Sequence, residues 1–140
     1  MIAVDSGFLF ALADQRDHWH ARAAAFAGTS AEGWVCTWPV LAEVCYLMLR
    51  DLHPRFAIQL MDDVAAGALE VWSPPMAALG RIPVLMTKYA DLQMDLADAS
   101  LVLLAEHLGH GRILSTDQRD FETYRWKNHK PFTNLLETTP

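Results

Sequence analysis

The chain has 140 residues, 52% of them hydrophobic and 20% charged, with a formal net charge of −6. That composition excludes a disordered polypeptide, and the acidic balance argues against non-specific wrapping of duplex DNA. No uncharged apolar run reaches the roughly 18 to 20 residues of a membrane helix, and the start lacks the basic region of a signal peptide; the expectation is one cytoplasmic domain over residues 1–140, with no membrane association.

In chain order, "IAVD" (2–5) reads as a buried strand and "SGFLFALA" (6–13) as a short helix. "DHWHARAAAFAG" (17–28) is a second helix, closed by Gly28. "WVCT" (34–37) is the next strand, after which Thr37 caps a helix with Pro39 in its first turn. Pro54 opens a further helix that Gly67 ends before the strand "LEVW" (69–72). "SPP" (73–75) breaks the chain, and Pro83 is expected to break or kink the helical stretch after it. "LADASLVLLAEHLG" (96–109) is a helix apolar on nearly every side, hence buried on more than one face. "RILS" (112–115) is a strand, "TDQRDFETY" (116–124) a short helix, and "KPFTNLL" (130–136) holds a final edge strand. Short apolar strands alternating with helices predict an α/β fold, a three-layer α/β/α sandwich around a central, mostly parallel sheet.

Four acids intrude on these apolar elements. Asp5 is the only charged side chain among the first thirteen residues, at the carboxyl end of the first strand. Asp117 lies just past the carboxyl end of "RILS", and ligands of open α/β sheets bind at that edge. Glu43 is the only charge from Trp38 to Leu49, flanked at helical spacing by Val40, Val44 and Leu47. Asp98 is the only charge from Leu96 to Ala105. Each has an ordinary reading: Asp5 and Asp117 as helix caps, Glu43 paired with a buried arginine, Asp95 as a cap with Asp98 favoured in the first turn by the helix dipole. Capping, however, needs no apolar setting and does not account for Glu43. Convergent carboxylates repel one another unless a cation sits among them, and oxygen donors suit Mg²⁺ or Mn²⁺ rather than zinc. The implied chemistry is phosphate-ester hydrolysis by a metal-activated water.

The stretches "VDSGFLFAL", "TWPVLAEVCYLM", "MDLADASLVLLAE" and "ILSTDQRDF", in this order and spanning nearly the whole chain, resemble the PIN-domain nucleases, and especially the VapC-type toxins of bacterial toxin–antitoxin pairs. The resemblance implies a PIN-like α/β/α sandwich and a Mg²⁺- or Mn²⁺-dependent endoribonuclease. Asp5 and Asp98 would be the main metal ligands, Asp117 would complete the site, and Glu43 would hold metal or orient the attacking water. Ser6 and Thr116 would support the acids from alongside, and Asp95, one helical turn before Asp98, is read as a cap, with membership of the site as the alternative. By the same analogy the partners are an RNA substrate, a second copy of the chain in a homodimer, and a cognate antitoxin received by grooves lined by "CYLML" or "FLFAL".

Removing the four acids takes the net charge from −6 to −2, so the rest of the molecule is near neutral and RNA can approach. In "YRWKNHK" (124–130), Arg125 and Lys127 are candidate substrate contacts beside Tyr124 and Trp126; the plainer reading is a solvated surface with both rings packed inward. Cys36 and Cys45 read as free thiols, and the pairs His18/His20 and His107/His110 as surface or capping residues. Two other classes remain open from the residues. A phosphatase using Asp5 as nucleophile lacks the usual DxD arrangement, and a non-catalytic binding module would hold the acids in salt bridges.

Overall fold

A computed structural model of the chain describes residues 1–136. Four strands occupy the segments where apolar residues are shortest and densest: β1 (Ile2–Val4), β2 (Trp34–Thr37), β3 (Leu69–Trp72) and β4 (Arg112–Leu114). With the two-residue edge strand β7 (Thr133–Asn134) they form a sheet in the order β3-β2-β1-β4-β7, parallel at every pairing. The chain builds outward from β1 to β2 and β3, then crosses to the other side of β1 to lay down β4. The point of reversal therefore lies between β1 and β4, and a crevice opens there at the carboxyl edge.

Helices α1 (Ser6–Ala13), α2 (His20–Thr29), α3 (Trp38–Asp51), α4 (Pro54–Ala65), α5 (Arg81–Lys88), α6 (Leu96–Leu108) and α7 (Gln118–Thr123) flank the sheet in the expected α/β/α layers. Local chemistry starts them. Thr37 accepts from the Val40 amide and Asp95 from the Asp98 amide, while Pro39 and Pro54 stand where no helical N–H is needed. Gly109 ends α6 in the left-handed region at φ +78°, its N–H returning to the Ala105 carbonyl. Helix α6 packs on β1, β2, α3 and α5, which is why Ala97 and every residue from Ala99 to Ala105 are buried. Its Ser100 hydroxyl, donating to the Ala97 carbonyl, meets Thr37 Oγ1 at 2.6 Å and ties the centre of α6 to the start of α3.

Two details depart from the expectations, and a third adds to them. Helix α2 begins at His20 and runs through Gly28 to Thr29, where the Ser30 amide closes it on the Phe26 carbonyl. Pro83 neither breaks nor kinks α5: it is the third residue of that helix, within the first turn, where its missing N–H has no partner to lose. The basic segment 124–130 is mostly a hairpin, β5 (Arg125–Trp126) antiparallel to β6 (Lys130–Pro131). Lys127 and Asn128, at φ +48° and +66°, make its turn, and the His129 amide bonds the Trp126 carbonyl. Tyr124 and Trp126 are buried in the core, as the plainer reading of that segment required. Among the described residues no helix is long and apolar enough to cross a membrane.

Candidate active site

The crevice predicted by the strand order is a cleft of about 350 Å³ lined by six carboxylic acids: Asp5, Glu43, Asp95, Asp98, Asp117 and Asp120. All four acids singled out in the sequence meet there, from the ends of β1 and β4 and from the bodies of α3 and α6. None of the four forms an ion pair with a basic side chain among the described residues. The salt-bridged arrangement considered for them, including a buried arginine beside Glu43, is thus not what this cleft contains.

Asp5 is only 6% exposed and is held by two donors. Its Oδ1 accepts from the Phe8 amide at 2.8 Å, so it does cap α1, and its Oδ2 accepts from the Ser115 hydroxyl. These donors do not compensate fully for burial. Desolvation, with the charges of Asp117 and Glu43, pushes the Asp5 carboxyl up to about 6 against the pull of Ser115 and the Phe8 amide. Burial also raises Asp98 to about 7, helped by the Asp95 charge and opposed by the Tyr124 hydroxyl. Glu43, bonded by the Ser6 hydroxyl at Oε1, is raised first by burial and then by Asp95. Asp117 is raised by burial and by Asp120, while it caps α7 through the Asp120 amide at 3.2 Å. Four carboxyls shifted in one direction, by burial and by the acids around them, describe a site short of positive charge.

The residues alongside the acids differ in part from those expected. Ser6 touches Glu43 as anticipated. Thr116 lines the cleft, but the hydroxyl that bonds Asp5 belongs to Ser115, which also accepts from the Asp117 amide at 2.9 Å. Asn134 clamps Ser115 in turn: its Oδ1 accepts from the Ser115 amide at 3.2 Å and its Nδ2 donates to the Ser115 carbonyl at 2.9 Å. The edge strand β7 thus braces two site acids that lie more than fifteen residues earlier. Asp95 both caps α6 and lines the cleft. Gly7 is there for space: a Cβ on it would stand 2.0 Å from Thr116 Oγ1. Arg125 and Lys127 lie outside the cleft lining. The Arg125 Nη1 donates to the carbonyls of Glu122, Thr123 and Tyr124, and the Lys127 ammonium sits 5.8 Å from the Trp126 ring centroid. Cys36 and Cys45 are free thiols.

Among the described residues no group of three or more His, Cys, Asp or Glu side chains forms a ready-made metal cage. The donor set nevertheless suits a hard divalent cation that keeps most of its water and takes only a few carboxylates. Every acid in the cleft offers oxygen, and the raised carboxyls mark the place where a positive charge lowers the energy.

Residues 2–127 match the family model described as PIN domain. The chain belongs to the PIN domain family. It is similar to Ribonuclease VapC26 of Mycobacterium tuberculosis, 29% identical over 122 residues that cover 87% of this chain and 90% of that protein. Its fold is that of Mycobacterium tuberculosis VapC20, a toxin described as cleaving the sarcin–ricin loop, with a TM-score of 0.77 at 17% identity. That superposition covers 85% of this chain and 92% of the other. In this PIN domain the four acids quoted with the sequence motifs all fall within the matched residues.

Proposed function

We propose that this PIN domain, one domain over residues 1–140, is a Mg²⁺- or Mn²⁺-dependent endoribonuclease and the toxin of a toxin–antitoxin pair. The observation that carries the reading is the meeting of Asp5, Glu43, Asp98 and Asp117 in one cleft at the sheet's carboxyl edge, with no ion pair to a basic side chain among the described residues. The names of the relatives, a VapC ribonuclease and a VapC toxin, supply the substrate class. Asp5, Asp98 and Asp117 would hold the cation, with Glu43 beside it. The chemistry such an ion supplies is acidification of bound water and neutralisation of phosphodiester charge. Ser6 holds Glu43 Oε1; the carboxyl would orient the attacking water and accept its proton, and burial together with the adjoining Asp95 keeps it basic enough to do so. Ser115 and the Phe8 amide fix both oxygens of Asp5, so its orientation is set before substrate arrives.

Two surfaces support the partner assignments. A mainly apolar cleft of about 460 Å³ lies away from the acids, between α1 and α4 and the starts of β2 and β3. Leu9 and Leu12 of "FLFAL" and Met48 of "CYLML" line it, together with Trp34, whose buried indole N–H has no partner among the described residues. An antitoxin helix is the occupant we assign to it. On α3, Trp38 (52% exposed), Tyr46 (61%) and Leu49 (55%) leave apolar surface for a second copy of the chain. The setting is the cytoplasm, where the RNA is.

The test is cleavage of a panel of structured RNAs with Mn²⁺, with Mg²⁺ and with EDTA. Fragments are expected with either ion and none with EDTA. Cleavage that persists in EDTA, or a protein that neither cleaves nor binds Mn²⁺ by calorimetry, would sink the reading. Gly7→Ala gives a finer check. Its new methyl group displaces the Thr116 hydroxyl beside Asp117, and misplacing a site wall by about 1 Å costs up to roughly 10²-fold. We expect its cleavage rate to fall about tenfold or more, with Mn²⁺ binding retained.

A further inference from the structure

Tyr124 is not among the candidate site residues of the sequence and does not line the cleft, yet its hydroxyl holds one of the cleft acids from behind. It is fully buried, at the end of α7, and its hydroxyl donates to Asp98 Oδ2 at 3.0 Å. We infer that Tyr124 is a positioning residue for the cation site: it holds one oxygen of Asp98 so that Oδ1 is presented to the ion. This rests on the metal-dependent reading given above.

The surroundings of Tyr124 make that hydroxyl a rigid donor. The ring meets Tyr89 edge-on at 5.0 Å and Phe121 at 5.1 Å, at interplanar angles of 69° and 86°. Phe121 in turn meets Phe132 at 5.3 Å. Tyr89 is itself fixed, its hydroxyl accepting from the Arg125 amide at 3.1 Å. The tyrosine ring therefore cannot swing away without disturbing α7, the segment after α5 and the β5–β6 hairpin together. A phenol is protonated at neutral pH, so toward the Asp98 carboxylate it acts as the donor. Asp98 needs such a partner. Its carboxyl lies in the first turn of α6, where the N-terminal amide is already directed to Asp95. A carboxylate free to rotate would be a poor ligand, whereas one oxygen pinned by a buried phenol leaves a defined lone pair on the other. Partners of ligating carboxylates typically contribute about 10- to 100-fold to metal affinity.

Tyr124→Phe keeps the ring and removes only the donor. Mn²⁺ titration by calorimetry should show affinity about tenfold or more below wild type. Tyr89→Phe is the control: it keeps the ring that packs on Tyr124 and removes a hydroxyl that bonds the Arg125 amide and none of the cleft acids, so its Mn²⁺ affinity should match wild type even if its melting temperature falls. Metal-free melting of both variants separates stability from ligand orientation. Tyr124→Phe binding Mn²⁺ like wild type overturns the inference, as does an equal loss in both variants. A Tyr124→Phe protein that does not fold assigns the hydroxyl to stability and overturns it too. If wild type binds no Mn²⁺, it is the metal-dependent reading that fails, and this inference with it.

Discussion

Asp98→Asn is expected to abolish Mn²⁺- and Mg²⁺-dependent RNA cleavage, by at least on the order of 10²- to 10³-fold, in a protein that folds as wild type does. The substitution exchanges one carboxylate oxygen for an amide nitrogen and changes no volume. The Asp98 amide still donates to Asp95, and the Tyr124 hydroxyl can still donate to the remaining side-chain oxygen. What is lost is charge at a point where burial and neighbouring acids raise Asp5, Asp98 and Asp117, and where none of the three is ion-paired with a basic side chain among the described residues. Mn²⁺ calorimetry on the same protein should show binding lost or greatly weakened. Full activity in the variant would remove Asp98 from the site. Activity lost together with the folded circular-dichroism signal would make Asp98 structural instead.

The second large effect concerns stability, and its sign follows from proton linkage. Asp5 and Asp98 ionise near 3.8 when unfolded, but near 6 and 7 in the folded protein. The folded state therefore binds these protons more tightly. The stability they confer is complete below about pH 4 and is lost as pH rises through 6 to 7. For Asp5, which is buried, the shift corresponds to about 3 kcal/mol. His110 works in the opposite sense, since burial and Arg112 lower its ionisation and its contribution is lost as pH falls through 6.5 and below. Comparison with Asp98→Asn isolates the Asp98 contribution: between pH 5 and pH 8 metal-free wild type should lose more stability than the variant, in which Asp5 and His110 still titrate. At pH 8, Mn²⁺ at about 100 times its Kd should restore about 2.7 kcal/mol to wild type, roughly 10 °C in Tm for a chain of this size, and little to the variant. A wild-type melting temperature unmoved by Mn²⁺ at pH 8 would refute a cation site in this cleft.

Much of this could be read from single residues because the signals were local contradictions. Asp5 interrupts an apolar start and Glu43 interrupts an apolar helix face, so each is costly unless it serves a site. Strand and helix types followed from period and punctuation, and the caps at Thr37 and Asp95 behave as their residue types require. The misses have local causes as well. Gly28 invites a helix stop, but the next turn is satisfied by Thr29 and Ser30, and nothing at Gly28 demands a missing side chain. Pro83 looks like a breaker only if the helix is assumed to begin well before it. Thr116 and Ser115 are adjacent, chemically equivalent hydroxyls, and the direction each takes at the end of β4 decides which one reaches Asp5.

By itself, the sequence determined which segments are strands and helices, that a parallel α/β sheet results, and that four acids stand where burial penalises them. Periodicity, capping and desolvation act within a few residues, and each leaves its mark in the order of the chain. Only the tertiary structure decided the strand order that places the crevice between β1 and β4. It also decided the recruitment of Asp95 and Asp120 to the cleft wall, the bracing of Ser115 by Asn134, and the meeting of Tyr124 with Asp98 across 26 residues. Those contacts join side chains whose separation in sequence carries no period. Their partners are chosen by the packing of β7 beside β4 and of the segment after α7 against α6, which no local pattern records.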